Sequence, residues 1–135
     1  MSRFLVKTEP STYSFDDLTR EKRAVWDGVS NPVALKHLAT MRKGDTVIVY
    51  HTGDEKRAVG LATTVSDPYP DPKVGDPKRW VIDLAAERPL PQPVTLAQAK
   101  ADPVLKTNDL ARLPRLSVIP FTEAQFKRLL QLAGA

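Results

Sequence analysis

Apolar and polar positions fall into short blocks along the chain. Phe4-Leu5-Val6 is a brief apolar run and predicts a strand. In Tyr13-Ser14-Phe15-Asp16-Asp17-Leu18, Ser14 stands as an N-cap with Asp17 three residues on. Tyr13 and Leu18 hold the positions of a hydrophobic staple, so a short helix starts here. Val25-Trp26-Asp27-Gly28-Val29-Ser30 has no period and predicts a structured loop. Asn31-Pro32 opens a second helix, with Asn as cap and Pro at the first helical position. Leu35, Leu38, Ala39 and Met41 give it an apolar stripe, and Gly44 is its expected stop.

Asp45 to His51 and Ala58 to Val65 are rich in β-branched residues and joined by a short polar link, the pattern of an antiparallel hairpin. Ser66 to Arg79 carries four prolines and predicts a long loop. Its Tyr69 is expected at the rim of a cleft, near Trp26. Trp80 to Ala85 and Arg115 to Ile119 are further strands. Thr95 with Gln98, and Thr122 with Gln125, have the spacing of capping boxes for two late helices. The order lacks regular strand–helix alternation. It predicts one α+β domain over residues 1–135, a small, mostly antiparallel β-barrel of about five to six strands flanked by short helices.

The chain has 135 residues, no cysteine and two histidines. Disulfides, thiol nucleophiles and cysteine-based metal sites are therefore excluded. No metal or cofactor is expected. The N-terminal residues lack the apolar run of a signal peptide, and no stretch approaches a membrane span. A cytoplasmic protein, or a nuclear one in a eukaryote, is the expectation, with no membrane partner and a monomeric state. The net charge is +4. The excess is local: Arg20, Lys22, Arg23, Lys36, Arg42 and Lys43 face only Glu21 and Asp27 in the same stretch. Such a zone suits either a polyanion partner or an ordinary solvated helix face.

The six glycines are dispersed, so no phosphate-cradling loop exists, and the HExxH and GxSxG patterns are absent. The informative residues are aromatic and small polar. Trp26 lies beside Asp27, Gly28 and Asn31, and Tyr13 follows Ser11. A planar base needs a stacking surface and polar groups for its edge, which Trp26, Tyr13, Asp27 and Ser11 supply. Tyr13, as half of the staple, is equally readable as a core residue that pins a loop; for Trp26 the same alternative exists, but its polar and glycine neighbours favour a pocket. Tyr50-His51, at a strand end, is placed to line the same cavity, or His51 is a structural histidine. Other readings are an enzyme using His51 as general base, and an adaptor that binds proteins through the loop around Tyr69.

The residues resemble the EVE domain of thymocyte nuclear protein 1-like proteins, part of the PUA-like group with the YTH and ASCH domains. The match is carried in order by Leu5-Val6-Lys7-Thr8-Glu9-Pro10, Tyr13 to Leu18, Trp26-Asp27-Gly28-Val29 with Asn31-Pro32, and Gly44-Asp45 leading to Tyr50-His51. Pro68-Tyr69-Pro70-Asp71, Trp80 with Asp83, Pro93 to Leu96, and Arg115 to Val118 complete it. The resemblance implies a PUA-like fold without catalytic activity that binds a modified base in DNA or RNA. It implies a pocket of Lys7, Ser11, Tyr13, Trp26, Asp27, Gly28, Val29, Asn31, Tyr50, His51 and Ser117. Departures are Ser30 and Leu35 where the family usually carries Arg, and Phe15 for a usual Trp. Lys36 offers a point charge where a bidentate fork is lost.

Overall fold

The computed structural model describes residues 2–135. Among these residues seven strands and five helices alternate irregularly: β1 (Arg3–Thr8), α1 (Phe15–Glu21), β2 (Arg23–Trp26), α2 (Pro32–Ala39), β3 (Thr46–His51), β4 (Arg57–Thr64) and β5 (Tyr69–Pro70). There follow β6 (Trp80–Thr95), α3 (Leu96–Ala101), a 3-10 turn (Leu105–Thr107), α4 (Asp109–Arg112), β7 (Val118–Phe121) and α5 (Glu123–Leu132). The sheet runs β2-β6-β4-β3-β1-β7, and β5 pairs with the start of β6. Among the described residues all pairings are antiparallel except β1 with β3.

Helix α2 touches both β6 and β7, which lie four steps apart across the sheet. Flat strands would separate those two by about 19 Å, more than one helix spans. The sheet therefore curls around α2. No ladder joins β2 to β7 among the described residues, so the curl stays open. The α+β class and the small, mostly antiparallel architecture hold in this form. The core inside the curl includes fully buried Leu5, Leu18, Leu38, Met41, Ile48 and Ile82. Truncating any of these leucines to alanine costs roughly 2–5 kcal/mol.

The capping signals act as their spacing predicts. Ser14, Thr95 and Thr122 form reciprocal boxes with Asp17, Gln98 and Gln125, and Asn31 caps α2 ahead of Pro32. Other expectations need correction. Val25-Trp26, read as loop, belongs to edge strand β2. Its alternation is hidden because only Ala24 and Trp26 turn inward while Val25 stays half exposed. The strand from Trp80 continues to Thr95, and its last part carries Pro89, Pro91 and Pro93. Register shifts against β4 absorb them, because a proline cannot donate to the ladder. The last strand begins at Val118 rather than Arg115, and holds Pro120 on an edge that pairs only with β1. Helix α2 ends at Ala39 with Thr40 as C-cap, and Gly44 (φ +95°) instead turns the chain into β3. The 3-10 turn and α4 have no apolar period long enough to be read.

Two contacts seat α1. Phe15 lies against Gly60, where a Cβ would meet the ring at 2.4 Å, so only glycine lets the helix approach. The Phe15 amide donates to His51 Nε2 (3.0 Å). Together they fix the entry into α1, and with it Tyr13.

Candidate nucleic-acid interface

A cleft of about 620 Å³ opens between the β1–α1 connection, the end of α1 and strand β2. Its walls combine Tyr13, Trp26, Asp27 and Gly28 with Thr8, Thr12, Glu21, Arg23, Ala24, Val25 and Lys73. Each is placed by local structure. Tyr13 stands just before the Ser14 cap, and Thr8 Oγ1 donates to its carbonyl (2.7 Å). Trp26 ends β2 opposite Ile82 and turns inward, 7% exposed. Gly28 takes φ +77°, which lets the chain turn away after Asp27. The Tyr13 and Trp26 rings meet edge to face, 6.2 Å between centroids at 78°.

The polar groups of the cleft divide sharply. The Tyr13 hydroxyl donates to Glu21 Oε1. Burial first, and then the Glu21 carboxylate, push the Tyr13 phenol far above its ordinary range. Asp27 is exposed and accepts no hydrogen bond from any described residue. Arg23 and Lys73 carry unpaired charges on the same wall. Tyr69, in the long loop, donates to Asp83 Oδ1 (2.6 Å), and that bond is the leading cause that pushes its phenol up to about 12. Tyr69 pairs with Val81, next to the Ile82 that faces Trp26, and the same loop brings Lys73 to the cleft.

The remaining residues named from the sequence lie elsewhere. Lys7, Tyr50 and Ser117 form a neighbouring group. Lys7 Nζ donates to the Pro114 carbonyl (2.9 Å) and sits 5.5 Å from the centre of the Tyr50 ring. The Lys7 amide donates to the Ser117 carbonyl (3.0 Å). Burial lowers the Lys7 ammonium and raises the Tyr50 phenol. Val29 is buried, and Asn31 caps α2 beside an apolar hollow lined by Val33 and residues 113–116. Ser11 is exposed and donates to Glu9 Oε1 (2.9 Å).

His51 stands behind α1, outside the cleft wall. Its Nε2 accepts from Phe15, so the ring proton is on Nδ1, which donates to Glu55 Oε1 (2.9 Å). Of the basic residues, Arg23 reaches the cleft, Arg20 pairs with Asp17, and Arg42 donates to the carbonyls of Ala39 and Met41. Lys22, Lys36 and Lys43 are exposed, and their ammonium groups meet no acceptor among the described residues. Sequence reasoning missed Thr8, Thr12, Glu21 and Lys73 as cleft residues. Glu21 was readable only as an interruption in a basic stretch, and Lys73 only as one lysine in a long loop. No three His, Asp or Glu side chains gather to hold a metal, and no helix is long and apolar enough to cross a membrane, among the described residues.

A curled, mostly antiparallel sheet around one helix defines a PUA-like fold. An ASCH protein from Zymomonas mobilis shares it at a TM-score of 0.60 and 12% identity, over 96% of this chain and 94% of that one. The EVE domain family model matches residues 2–132, and the chain belongs to that family. Rpa0253 from Rhodopseudomonas palustris is 38% identical, with a TM-score of 0.94 over 99% of this chain and 94% of that one. Human THYN1, solved in complex with DNA containing 5-methylcytosine, is 27% identical, with a TM-score of 0.91 over 100% of this chain and 99% of that one. No curated protein sequence matches this chain.

Proposed function

We propose that this protein is a non-enzymatic nucleic-acid-binding module that receives an unpaired or flipped modified base in the Tyr13–Trp26 cleft. The observation that carries this reading is the edge-to-face aromatic pair in a cleft beside an unpartnered carboxylate, Asp27, and two unpaired cations, Arg23 and Lys73. An aromatic wall takes the face of a base, polar groups address its edge, and cations meet the flanking phosphates. The human family member bound to 5-methylcytosine DNA supports the same chemistry. Flipping costs a few kcal/mol, least where pairing is already weak. The backbone then runs toward the basic stretch, where Lys22, Lys36 and Lys43 hold free ammonium groups. A catalytic role for His51 draws no support from its geometry, since both ring nitrogens are engaged and the ring lies outside the cleft.

Fluorescence anisotropy with single-stranded and mismatched oligonucleotides, with and without 5-methylcytosine, tests this. We expect saturable binding that favours the modified base. If about three cations meet phosphates, log affinity for a single strand falls with log salt at a slope near −2. Lys36→Ala or Lys43→Ala makes that slope shallower for every sequence. No binding, or a salt slope of zero, refutes the proposal.

A further inference from the structure

Helix α1 carries the chain from Tyr13 to Glu21 past the cleft, and its first amide is satisfied from far away. Phe15 is the first helical residue after the Ser14 cap, and it is buried. The amide of such a residue has no partner within its own helix. Ser14 Oγ serves the Asp17 amide, so the Phe15 amide donates instead to His51 Nε2 (3.0 Å), 36 residues along the chain. The Phe15 ring rests on Gly60, which ties the same residue to β4.

His51 is itself buried, at the end of β3. The charged groups around its hollow are Asp16 from α1, Glu55 from the β3–β4 link and Arg57 from β4. Pro10, Ser14 and Pro89 from the β1–α1 connection and β6 carry no charge, nor does Thr8, its partner across β1. Glu55 Oε1 accepts from His51 Nδ1 (2.9 Å) and from Arg57 Nε (3.2 Å). The His51 bond is the leading cause that holds the Glu55 carboxyl below its usual range, so Glu55 stays ionised in mildly acid solution. A neutral imidazole has one donor and one acceptor nitrogen. With Nδ1 donating, only the neutral ring keeps a lone pair on Nε2 for the Phe15 amide. A second proton has one place to go, Nε2, where it points at the Phe15 N–H. Two donors then face each other, and a buried amide loses its acceptor.

We propose that His51 is a positioning residue of the cleft: its unprotonated Nε2 seats α1, and through it Tyr13, and acid releases both. This rests on the function proposed above, because Tyr13 matters to binding only if the cleft takes a base. The sign follows from the ring. The arrangement is complete while His51 is neutral, and it is lost as pH falls through the range in which histidine takes up a proton, from about 8 to about 5.

Anisotropy with the 5-methylcytosine oligonucleotide at about pH 7.5 and about pH 5.5 tests this. Wild-type affinity is expected to fall by about fivefold or more at the lower pH, the lower bound for a buried amide left without an acceptor. In His51→Gln the side-chain oxygen reaches the place of Nε2, accepts from the amide and does not titrate, so binding should depend little on pH. His37→Gln alters the other histidine, in the last turn of α2, and should keep the wild-type fall. Glu55→Gln still accepts from Nδ1 but removes the charge that favours the cation, so its fall should move to lower pH. Amide hydrogen exchange on the wild-type protein needs no variant to fold. The Phe15 amide should lose its protection factor at the lower pH while the amides of β3 keep theirs. An affinity that does not fall with pH, a His51→Gln protein that falls as steeply as wild type, or a Phe15 amide still protected in acid overturns this inference and leaves the binding function standing. Absence of wild-type binding at the higher pH overturns both.

Discussion

Two polar clusters, at different places on the sheet, differ in how completely they are paired. Near the C-terminus, Asp102 takes the amides of Val104 and Leu105 on one oxygen and Arg128 Nε (2.7 Å) on the other. Buried Asn108 donates to the Pro120 carbonyl and to Gln125 Oε1, and accepts from the Leu110 amide. Gln125 in turn closes the Thr122 capping box. That cluster ties α4, β7 and α5 together with nothing left over. Around the cleft, Asp27, Arg23 and Lys73 have no described partner, and Glu21 has one. Saturated polar groups stabilise a fold, whereas exposed unsaturated ones beside an aromatic pair are available to a ligand. The two regions should therefore separate in experiment: one governs melting, the other affinity.

Trp26 is where that separation blurs. It belongs to the continuous core and also lines the cleft. Read from sequence, core and pocket were alternatives; in the fold the one ring serves both. Trp26→Ala is expected to cost about 3–5 kcal/mol of stability. It should also weaken oligonucleotide binding by about 5- to 150-fold. Trp26→Phe keeps a ring face and should lose less of each. Denaturant melts and anisotropy on the same two variants check this, and unchanged affinity in folded Trp26→Ala would remove Trp26 from the binding site.

Asn108→Ala sharpens the contrast from the other side. It strips partners from the Pro120 carbonyl, the Leu110 amide and Gln125, at about 2–3 kcal/mol. For a domain of this size that lowers Tm by about 10 °C. Affinity for the 5-methylcytosine probe should stay within about twofold of wild type at a temperature where both are folded. A large drop would mean the two regions are coupled.

A smaller effect leaves the C-terminal cluster silent, because no tyrosine lies in it. All three phenols are raised from 10.0: Tyr13 by burial and Glu21, Tyr50 by burial, and Tyr69 to about 12 by its bond to Asp83, with burial and nearby carboxylates following. A folded pKa above the unfolded value favours the native state fully below the unfolded pKa. For Tyr69 that contribution is lost as pH rises from about 10 through about 12. Absorbance at alkaline pH should show little tyrosinate at pH 10 in the folded protein and its prompt appearance on unfolding. Asp27→Asn should let Tyr69 ionise slightly earlier, and no change would place Tyr69 away from the cleft.

Much of this protein was legible in one dimension where the cause is local. Caps need only a side chain and an amide three residues away, so Ser14, Asn31, Thr95 and Thr122 announced their helices. Buried strands need only a run of branched residues, so β1, β3 and β4 were readable. The aromatic and acidic residues around residue 26 also stood out, because tryptophan and aspartate beside glycine do not fit a simple core pattern. What depended on partners far along the chain was not legible. Strand β2 shows its alternation only once β6 lies beside it, and β6 keeps its length past three prolines only because its register slips against β4. Gly60 has meaning only when the Phe15 ring rests on it, and His51 takes its role from the Phe15 amide and Glu55. Which candidates gathered into one cleft, and that Glu21 and Lys73 join them, was decided by the curl of the sheet around α2. That curl brings together groups whose spacing in the chain carries no period, and it sets which carboxylates find a partner and which are left facing solvent.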